Sequence, residues 1–361
     1  MSSPKPFKID IHTHILPPDL HGLAEKYGYG GFIELEHSAD GPTKMWKDGV
    51  FFREVDANVF DLEARMRDMC PHAGCTGGET PDGADVHVIS QTPVLFNYWM
   101  KNEEDAEDWT RYLNDHMAMV VAENPKRFVG LGTLPMQHPQ LAVKELRRCI
   151  TELGLAGVEI GTHVNDWELS APELFPIFEE AAALGAAIFV HPWYQQGANI
   201  KEDPAASAHW PFWMAWLVSM PSETARAICN FTMGGILDKL PNLRVAFAHG
   251  GGSFPALIGR IEHGFNVRPD LCQTHSTTPP RDFLGKFWID SLVHDDRMLK
   301  YLVDLCGQSK ICLGTDYPFV LGEAVPGKRV LEHEELSDEA KADILANNAL
   351  EWLGLDKEQF M

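Results

Sequence analysis

The sequence predicts an α/β protein, a (β/α)8 TIM barrel with a small β-rich insertion after strand 1. Short β-rich runs alternate with helical segments, and eight such runs can be counted. Strands that alternate with helices form parallel βαβ units. The 361 residues also suit a barrel of about 250 residues that carries insertions. We therefore expect residues 1–361 to form one domain, with residues 17–57 as an insertion over the barrel mouth.

The predicted strands are short and rich in aliphatic residues. Helical periodicity marks segments between them, such as Pro139–Leu153 and Glu173–Leu184. A doubly wound sheet is the competing architecture, but no glycine fingerprint of the dinucleotide-binding kind follows the first strand. Eight units favour the closed barrel. The predicted strands are Phe7–Ile11, Asp85–Ser90, Arg127–Leu134, Ala156–Ile160, Ala186–Val190, Arg244–Ala248, Lys286–Asp290 and Lys310–Gly314.

Two segments depart from the simple repeat. Met45–Arg53 has the pattern of a hairpin around Asp48-Gly49, a dipeptide that tolerates positive φ in tight turns. Cys70–Ala84 is rich in Gly and Pro, which is typical of a loop. Its two cysteines and one histidine could bind a metal, but their spacing matches no common zinc knuckle, so we interpret the segment as a surface loop.

Charge and cysteine content limit the classes of function. The net charge is −22, from 52 acidic and 30 basic residues. Such a field repels phosphate backbones and anionic membrane surfaces, so we expect no nucleic-acid or membrane partner. An anionic substrate must then be met by a few placed arginines. Seven cysteines without a CxxC pair, no long apolar stretch and no signal-peptide pattern indicate a soluble cytoplasmic protein.

The first predicted strand ends in His12-Thr13-His14. Strand side chains alternate, so Ile9 and Ile11 should face one side while Asp10, His12 and His14 face the other. Two histidines spaced in this way can point their imidazoles at one ion. An HxH pair is weak evidence by itself, because surface and core histidines are common.

Three other predicted strands also end in potential metal ligands. His191 follows the fifth strand, His249 follows the sixth and Asp316 follows the eighth. Polar residues at the carboxyl ends of barrel strands are where catalysis takes place in such folds. For any one of these histidines, a hydrogen-bonded buried position is the alternative. Four such strand ends together predict a metal-dependent active site.

Several motifs spread along the chain point to one protein family: Ile9–Pro17, Lys47-Asp48-Gly49 with Arg53, Gly130–Met136, Gly157–His163, Phe247–Gly252, Arg260–Phe265 and Gly314–Phe319. In these motifs the chain resembles the amidohydrolase superfamily, and within it the aminocarboxymuconate semialdehyde decarboxylase family. The resemblance spans nearly the whole chain. It departs from the family at Cys70–Ala84, which is longer than the usual link.

The resemblance implies a single zinc ion per subunit, held by His12, His14, His191 and Asp316, with His249 as the base beside it. Asp316 is thus both a ligand and a catalytic residue. Related hydrolases hold a second ion with a carboxylated lysine on the fourth strand. Gly157–Gly161 contains no lysine, which favours one ion. Its glutamate, Glu159, is open to roles as a ligand, in packing or in a polar network.

The resemblance also implies how a dicarboxylate substrate is bound. Arg53 grips one carboxylate, and Arg260 reaches into the active site of the neighbouring subunit, so a homodimer is expected. Trp193 and Phe319 form apolar walls. For either arginine considered alone, a surface ion pair is the alternative to substrate binding. The aromatic cluster Trp210–Trp216 is typical of core or interface packing rather than of a ligand cage.

The implied reaction is the non-oxidative loss of CO2 from 2-amino-3-carboxymuconate 6-semialdehyde in tryptophan catabolism through kynurenine. This reaction limits the formation of quinolinate. Three alternatives stay open. They are a related hydroxybenzoate-type decarboxylase, a zinc hydrolase of amides or lactones, and a non-catalytic metal-binding barrel. The intact ligand set with His249 beside it disfavours the last of them.

Overall fold

The computed structural model describes residues 6–38, 41–69, 83–193 and 212–361. Three sheets lie in these residues: one of eight strands, one of three and one of two. The strands are, in chain order, β1 (Ile9–Ile15), β2 (Ile33–Glu36), β3 (Thr43–Lys47), β4 (Val50–Val55), β5 (Val86–Gln91), β6 (Phe128–Gly132), β7 (Gly157–Gly161), β8 (His163–Val164), β9 (Trp167–Glu168), β10 (Ala187–His191), β11 (Arg244–Phe247), β12 (Trp288–Asp290) and β13 (Ile311–Cys312).

The eight-stranded sheet is a closed parallel barrel. Its strands follow the order β1-β5-β6-β7-β10-β11-β12-β13, and all neighbours are parallel. The last strand returns to the first, because Ile11 N donates to Leu313 O at 2.8 Å and Thr13 forms a parallel bridge with Tyr317. The predicted (β/α)8 barrel is therefore confirmed. All eight predicted strands are present, with ends that differ by a few residues.

The helices of the described residues lie mainly between the barrel strands. None of them is long and apolar enough to cross a bilayer. The two helices predicted from periodicity are present with slightly different ends. The helices are α1 (Leu23–Tyr27), α2 (Leu62–Met69), α3 (Glu103–Glu123), α4 (Pro139–Thr151), α5 (Phe175–Leu184), α6 (Met220–Thr232), α7 (Ile236–Lys239), α8 (Phe254–Val267), α9 (Pro269–Cys272), α10 (Asp296–Cys306), α11 (Lys328–Glu332), α12 (Asp338–Ala342) and α13 (Asn348–Leu353).

Two buried layers of apolar side chains stabilise the barrel. The outer layer lies between strands and helices and includes Val190 of β10 and Phe231 of α6. The inner layer fills the barrel with residues such as Ile9, Phe189 and Trp352. Burial of apolar surface is the main favourable contribution to folding. Trp352 belongs to α13, so this helix closes the inner layer and leaves the carboxyl ends of the strands for a functional site.

Strand β1 contains an irregularity that places its histidines. The pairing of β1 with β5 shifts register between Asp10 and Thr13. The ring of His12 lies 5.0 Å from that of Phe189, which packs in the same inner layer as Ile9 and Ile11. The prediction that His12 faces away from Ile9 and Ile11 is therefore wrong. A β-bulge adds one residue to a strand, and after it the alternation of side chains is reversed.

The predicted hairpin belongs to a small antiparallel sheet of three strands, β2-β3-β4. Asp48 and Gly49 form its turn with φ of 51° and 75°, as the Asp-Gly pair predicts. The sheet packs over its own apolar cluster, which includes Met45 and Trp109. Residues 70–82 of the predicted Cys70–Ala84 loop lie outside the described residues.

Candidate metal centre and substrate cavity

Side chains from two barrel strands and the segment after the last strand meet in one buried group. His12 and His14 belong to β1, His191 ends β10, and Asp316 follows β13. One ligand atom of each residue lies within 4.8 Å of those of the others. The three imidazole rings are 5.0 to 5.1 Å apart between centroids. The structure thus brings together four residues that the sequence singled out.

The hydrogen bonds of the three histidines define which ring nitrogen faces the centre. Nδ1 of His12 lies 2.7 Å from Oδ2 of Asp290. Nδ1 of His14 and Nδ1 of His191 lie 3.3 and 2.5 Å from backbone carbonyl oxygens. These oxygens only accept, so Nδ1 carries the hydrogen and Nε2 has a free lone pair. All three Nε2 atoms are buried and have no hydrogen-bond partner among the described residues.

The charges of this group fit a divalent metal ion. Burial lowers the pKa of His14 to about 4 and lowers the pKa of His191 well below its usual value. Burial raises the pKa of Asp316, but the imidazoles of His14 and His249 beside its carboxylate outweigh this effect and hold the pKa well below the usual range. Neutral imidazoles with a charged carboxylate are the form in which these residues bind a metal.

His249 stands beside this group on a strained turn. Its φ is 56°, and Gly250, Gly251 and Gly252 continue with φ of 61°, 76° and 60°. Such positive φ values are costly for residues with a Cβ, which explains the glycines. Nε2 of His249 lies 3.8 Å from Oδ2 of Asp316. Burial lowers the pKa of His249, but the nearby carboxylates outweigh it and the net shift is upward.

Glu159 of β7 lies on the far side of His14. Its Oε1 atom is 3.7 Å from Nδ1 of His14, the nitrogen that points away from the four-residue group. Burial raises the pKa of Glu159 well above its usual value. This position fits the polar-network interpretation of Glu159 better than a ligand role.

A cavity of about 430 Å³ opens from the metal-ligand group. Most of its wall is apolar, and two cationic side chains from the three-stranded sheet, Lys47 and Arg53, reach it. A mostly apolar cavity with a few polar groups is typical of a small-molecule site. Among the residues that line it are His14, His191, His249, Asp316, Trp193, Trp213, Trp216 and Phe319.

Arg53 is held by aromatic rings. Its guanidinium carbon lies 5.1 Å from the ring centres of both Phe52 and Phe319. Burial lowers its pKa, and the charge of Asp316 opposes that shift. No carboxylate pairs with Arg53 within the described part of the chain. The predicted alternative of a surface ion pair is therefore not what the described residues form, and the charge faces the cavity.

The other predicted substrate contacts divide into two groups. Trp193 and Phe319 line the cavity. Arg260 is exposed on α8 and is absent from the cavity wall of its own chain. Of the predicted aromatic cluster, Trp213 and Trp216 also line the cavity, although Trp213 is 42% exposed, and Trp210 lies outside the described residues.

Sequence reasoning missed two residues that support the centre. Asp290 ends β12 and accepts a hydrogen bond from His12. The strand-end rule that found Asp316 could have found it. Arg65 of α2 is fully buried, donates to the carbonyl of His14 and lies 4.8 Å from the ring of Tyr317. No local pattern predicts Arg65, because its partners are distant in the chain.

Known proteins share this architecture. A decarboxylase of 2-amino-3-carboxymuconate 6-semialdehyde from Dictyostelium discoideum is 52% identical, over 98% of this chain and 93% of the relative. The IDCase of Metarhizium anisopliae superposes with a TM-score of 0.79 at 24% identity, covering 99% of this chain and 100% of that one. A dihydroxybenzoic acid decarboxylase from Polaromonas with bound manganese has a TM-score of 0.72 at 21% identity, covering 98% and 99%.

The family assignment follows from the whole chain rather than from the site alone. The 52% identity to the Dictyostelium relative confirms the resemblance that the sequence motifs indicate. The family model described as amidohydrolase matches residues 9–355. This range begins in β1, where the first histidine ligands lie, and ends just after α13. The chain belongs to the amidohydrolase family.

Proposed function

We propose that this chain is a zinc-dependent carboxy-lyase. It converts 2-amino-3-carboxymuconate 6-semialdehyde to 2-aminomuconate 6-semialdehyde and CO2 without an oxidant. One observation carries the proposal. Within the described residues, three imidazole nitrogens without a hydrogen-bond partner and a carboxylate share a cavity with an arginine that forms no ion pair. The 52% identity to the Dictyostelium decarboxylase supports the same substrate.

His12, His14, His191 and Asp316 would hold one zinc ion per subunit. Three nitrogens and one oxygen are a donor set that zinc accepts. When bound, zinc supplies Lewis-acid chemistry and activates water at neutral pH. The Polaromonas structure with manganese makes metal analysis necessary, because a related site accepts another divalent ion. Glu159 does not take part in this ligand set.

His249 is the proton-transfer residue of the proposal. Its ring lies 5.0 Å from that of His191 and lines the cavity, so it can reach both the metal centre and a substrate. A histidine whose pKa is near the working pH can accept and return a proton. Asp316 would contribute to the reaction through its negative charge, because its Oδ1 lies 3.2 Å from Nε2 of His14 and its Oδ2 lies 3.8 Å from Nε2 of His249.

Two arginines would orient the dicarboxylate substrate. Arg53 binds one carboxylate inside the cavity of its own chain, since guanidinium groups form paired hydrogen bonds with carboxylates. Arg260 is exposed on α8, and we propose that it enters the cavity of a partner subunit in a homodimer. Trp193 and Phe319 exclude water from the substrate, which strengthens the charge interactions.

We also propose how the chain is organised and where it acts. Residues 1–361 form one domain, in which residues 17–57 cover the barrel mouth and deliver Arg53. The enzyme acts in the cytoplasm, in tryptophan catabolism through kynurenine, and limits quinolinate formation. Neither nucleic acid nor a membrane is a partner, in keeping with the net charge of −22.

A hydroxybenzoate-type decarboxylase is the second candidate. The Polaromonas dihydroxybenzoic acid decarboxylase shares the fold with a TM-score of 0.72, so the same barrel supports that reaction elsewhere. Lys47 and Arg53 at the cavity favour a substrate with more than one carboxylate. A hydrolase of amides or lactones is the third candidate, and cleavage of such compounds without CO2 release would support it.

The test combines metal content with CO2 release. Wild type, His191→Ala and His249→Ala are purified, their metal is identified by mass spectrometry, and CO2 release from 2-amino-3-carboxymuconate 6-semialdehyde is measured. The proposal predicts zinc and activity in wild type, loss of both in His191→Ala, and zinc without activity in His249→Ala. Full activity of both variants would contradict it.

A further inference from the structure

Asp290 at the end of β12 is a fully buried carboxylate with four hydrogen bonds. Its Oδ2 accepts from Nδ1 of His12 at 2.7 Å and from the backbone N–H of His249 at 2.8 Å. Its Oδ1 accepts from the N–H of Gly250 at 2.7 Å and of Leu292 at 3.0 Å. One side chain therefore joins a residue of the four-residue group to the turn that carries His249.

The first of these contacts determines which nitrogen of His12 faces the centre. A carboxylate can only accept, so it holds the hydrogen of the imidazole on Nδ1 and leaves Nε2 with its lone pair. Nε2 of His12 is buried and has no hydrogen-bond partner in the described residues. Partners of this kind orient ligating histidines and raise their basicity.

The other contacts restrain the turn after β11. His249 and Gly250 both have φ near +60°, which is costly for a histidine. Such a conformation persists only where its surroundings enforce it. Asp290 binds both backbone N–H groups. It therefore offsets the strain and keeps the His249 ring 5.1 Å from that of His12.

We propose that Asp290 is a positioning residue that fixes the tautomer of His12 and the location of His249 together. This inference rests on the proposed metal-dependent function. It goes beyond that function in assigning to one buried carboxylate the alignment of a ligand and of the proton-transfer residue. Asp290 itself does not line the cavity, so it acts through these two histidines.

Asp290→Asn replaces one of the two carboxylate oxygens by an NH2 group with little change in the shape of the side chain. An amide offers one acceptor and two donors. In one orientation its NH2 group faces Nδ1 of His12 and the backbone N–H of His249. In the other it faces the backbone N–H groups of Gly250 and Leu292. Either orientation sets donors against donors. The matched control is Glu145→Gln, which alters another buried carboxylate far along the chain, in α4, where it binds Asn114 and Arg148.

The experiment titrates metal-free protein with Co2+ and follows the absorption spectrum of the bound ion, with thermal unfolding of each metal-free variant. We expect the Kd for Co2+ to rise about 10- to 100-fold in Asp290→Asn, with an altered spectrum. Glu145→Gln should lose thermal stability but keep the wild-type Kd and spectrum. Asp290→Asn should also lower kcat more than it raises KM, because His249 is displaced.

A double-mutant cycle shows whether Asp290 acts through His12. The Kd change caused by Asp290→Asn should be several-fold smaller in a His12→Ala background. An additive effect, or an unchanged Kd and spectrum in Asp290→Asn, would overturn this inference while leaving the proposed function in place. If wild type itself bound no Co2+, both proposals would be overturned.

Discussion

The guanidinium carbon of Arg53 lies 5.1 Å from the centre of the Phe319 ring, in the cavity that His14 and His191 also line. The contact is a cation–π interaction that holds the charge in place before a substrate arrives. Because the guanidinium has no carboxylate partner in the described residues, its hydrogen-bonding groups are available to an anion.

Arg53→Ala should therefore reduce kcat/KM for 2-amino-3-carboxymuconate 6-semialdehyde. The loss of a charge-assisted hydrogen-bond pair amounts to about 2 kcal/mol, or roughly 30-fold. Arg53→Lys should recover only part of the activity, because an ammonium lacks the planar fork. Steady-state kinetics checks this, with the exposed Arg67 of α2 changed to Ala as the control. Equal kinetics for the Arg53 and Arg67 variants would remove Arg53 from the site.

Arg260 provides a test of the proposed dimer. Arg260→Ala should be inactive but folded, because this side chain is exposed on α8. Mixing Arg260→Ala with the inactive His249→Ala should restore part of the activity, since a mixed dimer contains one site with both residues intact. Mixing Arg260→Ala with a His249→Ala/Arg260→Ala double variant should restore none. Recovery in neither mixture, with subunit exchange verified by light scattering, would count against a shared site.

The glycine turn beside His249 should tolerate no side chain. A Cβ at Gly252 would lie 2.2 Å from the carbonyl oxygen of Pro221, and the residue has φ of 60°. We expect Gly252→Ala to lower the free energy of unfolding by about 2 kcal/mol and to reduce activity. Gly264→Ala in α8, where a Cβ meets nothing within 4 Å, is the control. Urea unfolding distinguishes the two, and similar stability of both variants would refute the strain argument.

A buried ion pair within α4, which is hydrogen-bonded to α3, should contribute strongly to stability. Glu145 accepts from Arg148 at 2.7 and 2.9 Å and from Asn114 at 2.7 Å. Glu145→Ala leaves the buried Arg148 with only part of its partners, at a cost of about 3 kcal/mol. Lys144→Ala breaks an exposed pair with Glu107 and should cost less than about 1 kcal/mol. Denaturant midpoints compare them, and equal costs would show that burial is not decisive.

The barrel and most of its site residues could be predicted because they follow from local patterns. Each barrel strand is a short aliphatic run, and strand ends gather at one rim of a parallel barrel. His191 and Asp316 could be placed by that rule without any knowledge of contacts. The Asp48-Gly49 turn was likewise predictable from residue type, since only a few dipeptides favour positive φ.

The parts that could not be predicted depend on register and on distant partners. Simple alternation placed His12 opposite Ile11, and the bulge in β1 reversed this. Arg65 of helix α2 binds the carbonyl of His14 in strand β1, so its role has no sequence signature. Asp290 joins His12 to the His249 turn across 41 and 278 positions of the chain. Contacts at such separations become visible only in the fold.

The most direct test of the proposed decarboxylation is the amount of CO2 formed per substrate consumed, measured without oxygen on the purified zinc-loaded protein. The proposed substrate, 2-amino-3-carboxymuconate 6-semialdehyde, and a dihydroxybenzoate are supplied in parallel reactions. We predict one CO2 for each 2-amino-3-carboxymuconate 6-semialdehyde consumed and a much slower reaction with the dihydroxybenzoate. Consumption without CO2, or faster release from the dihydroxybenzoate, would contradict this prediction.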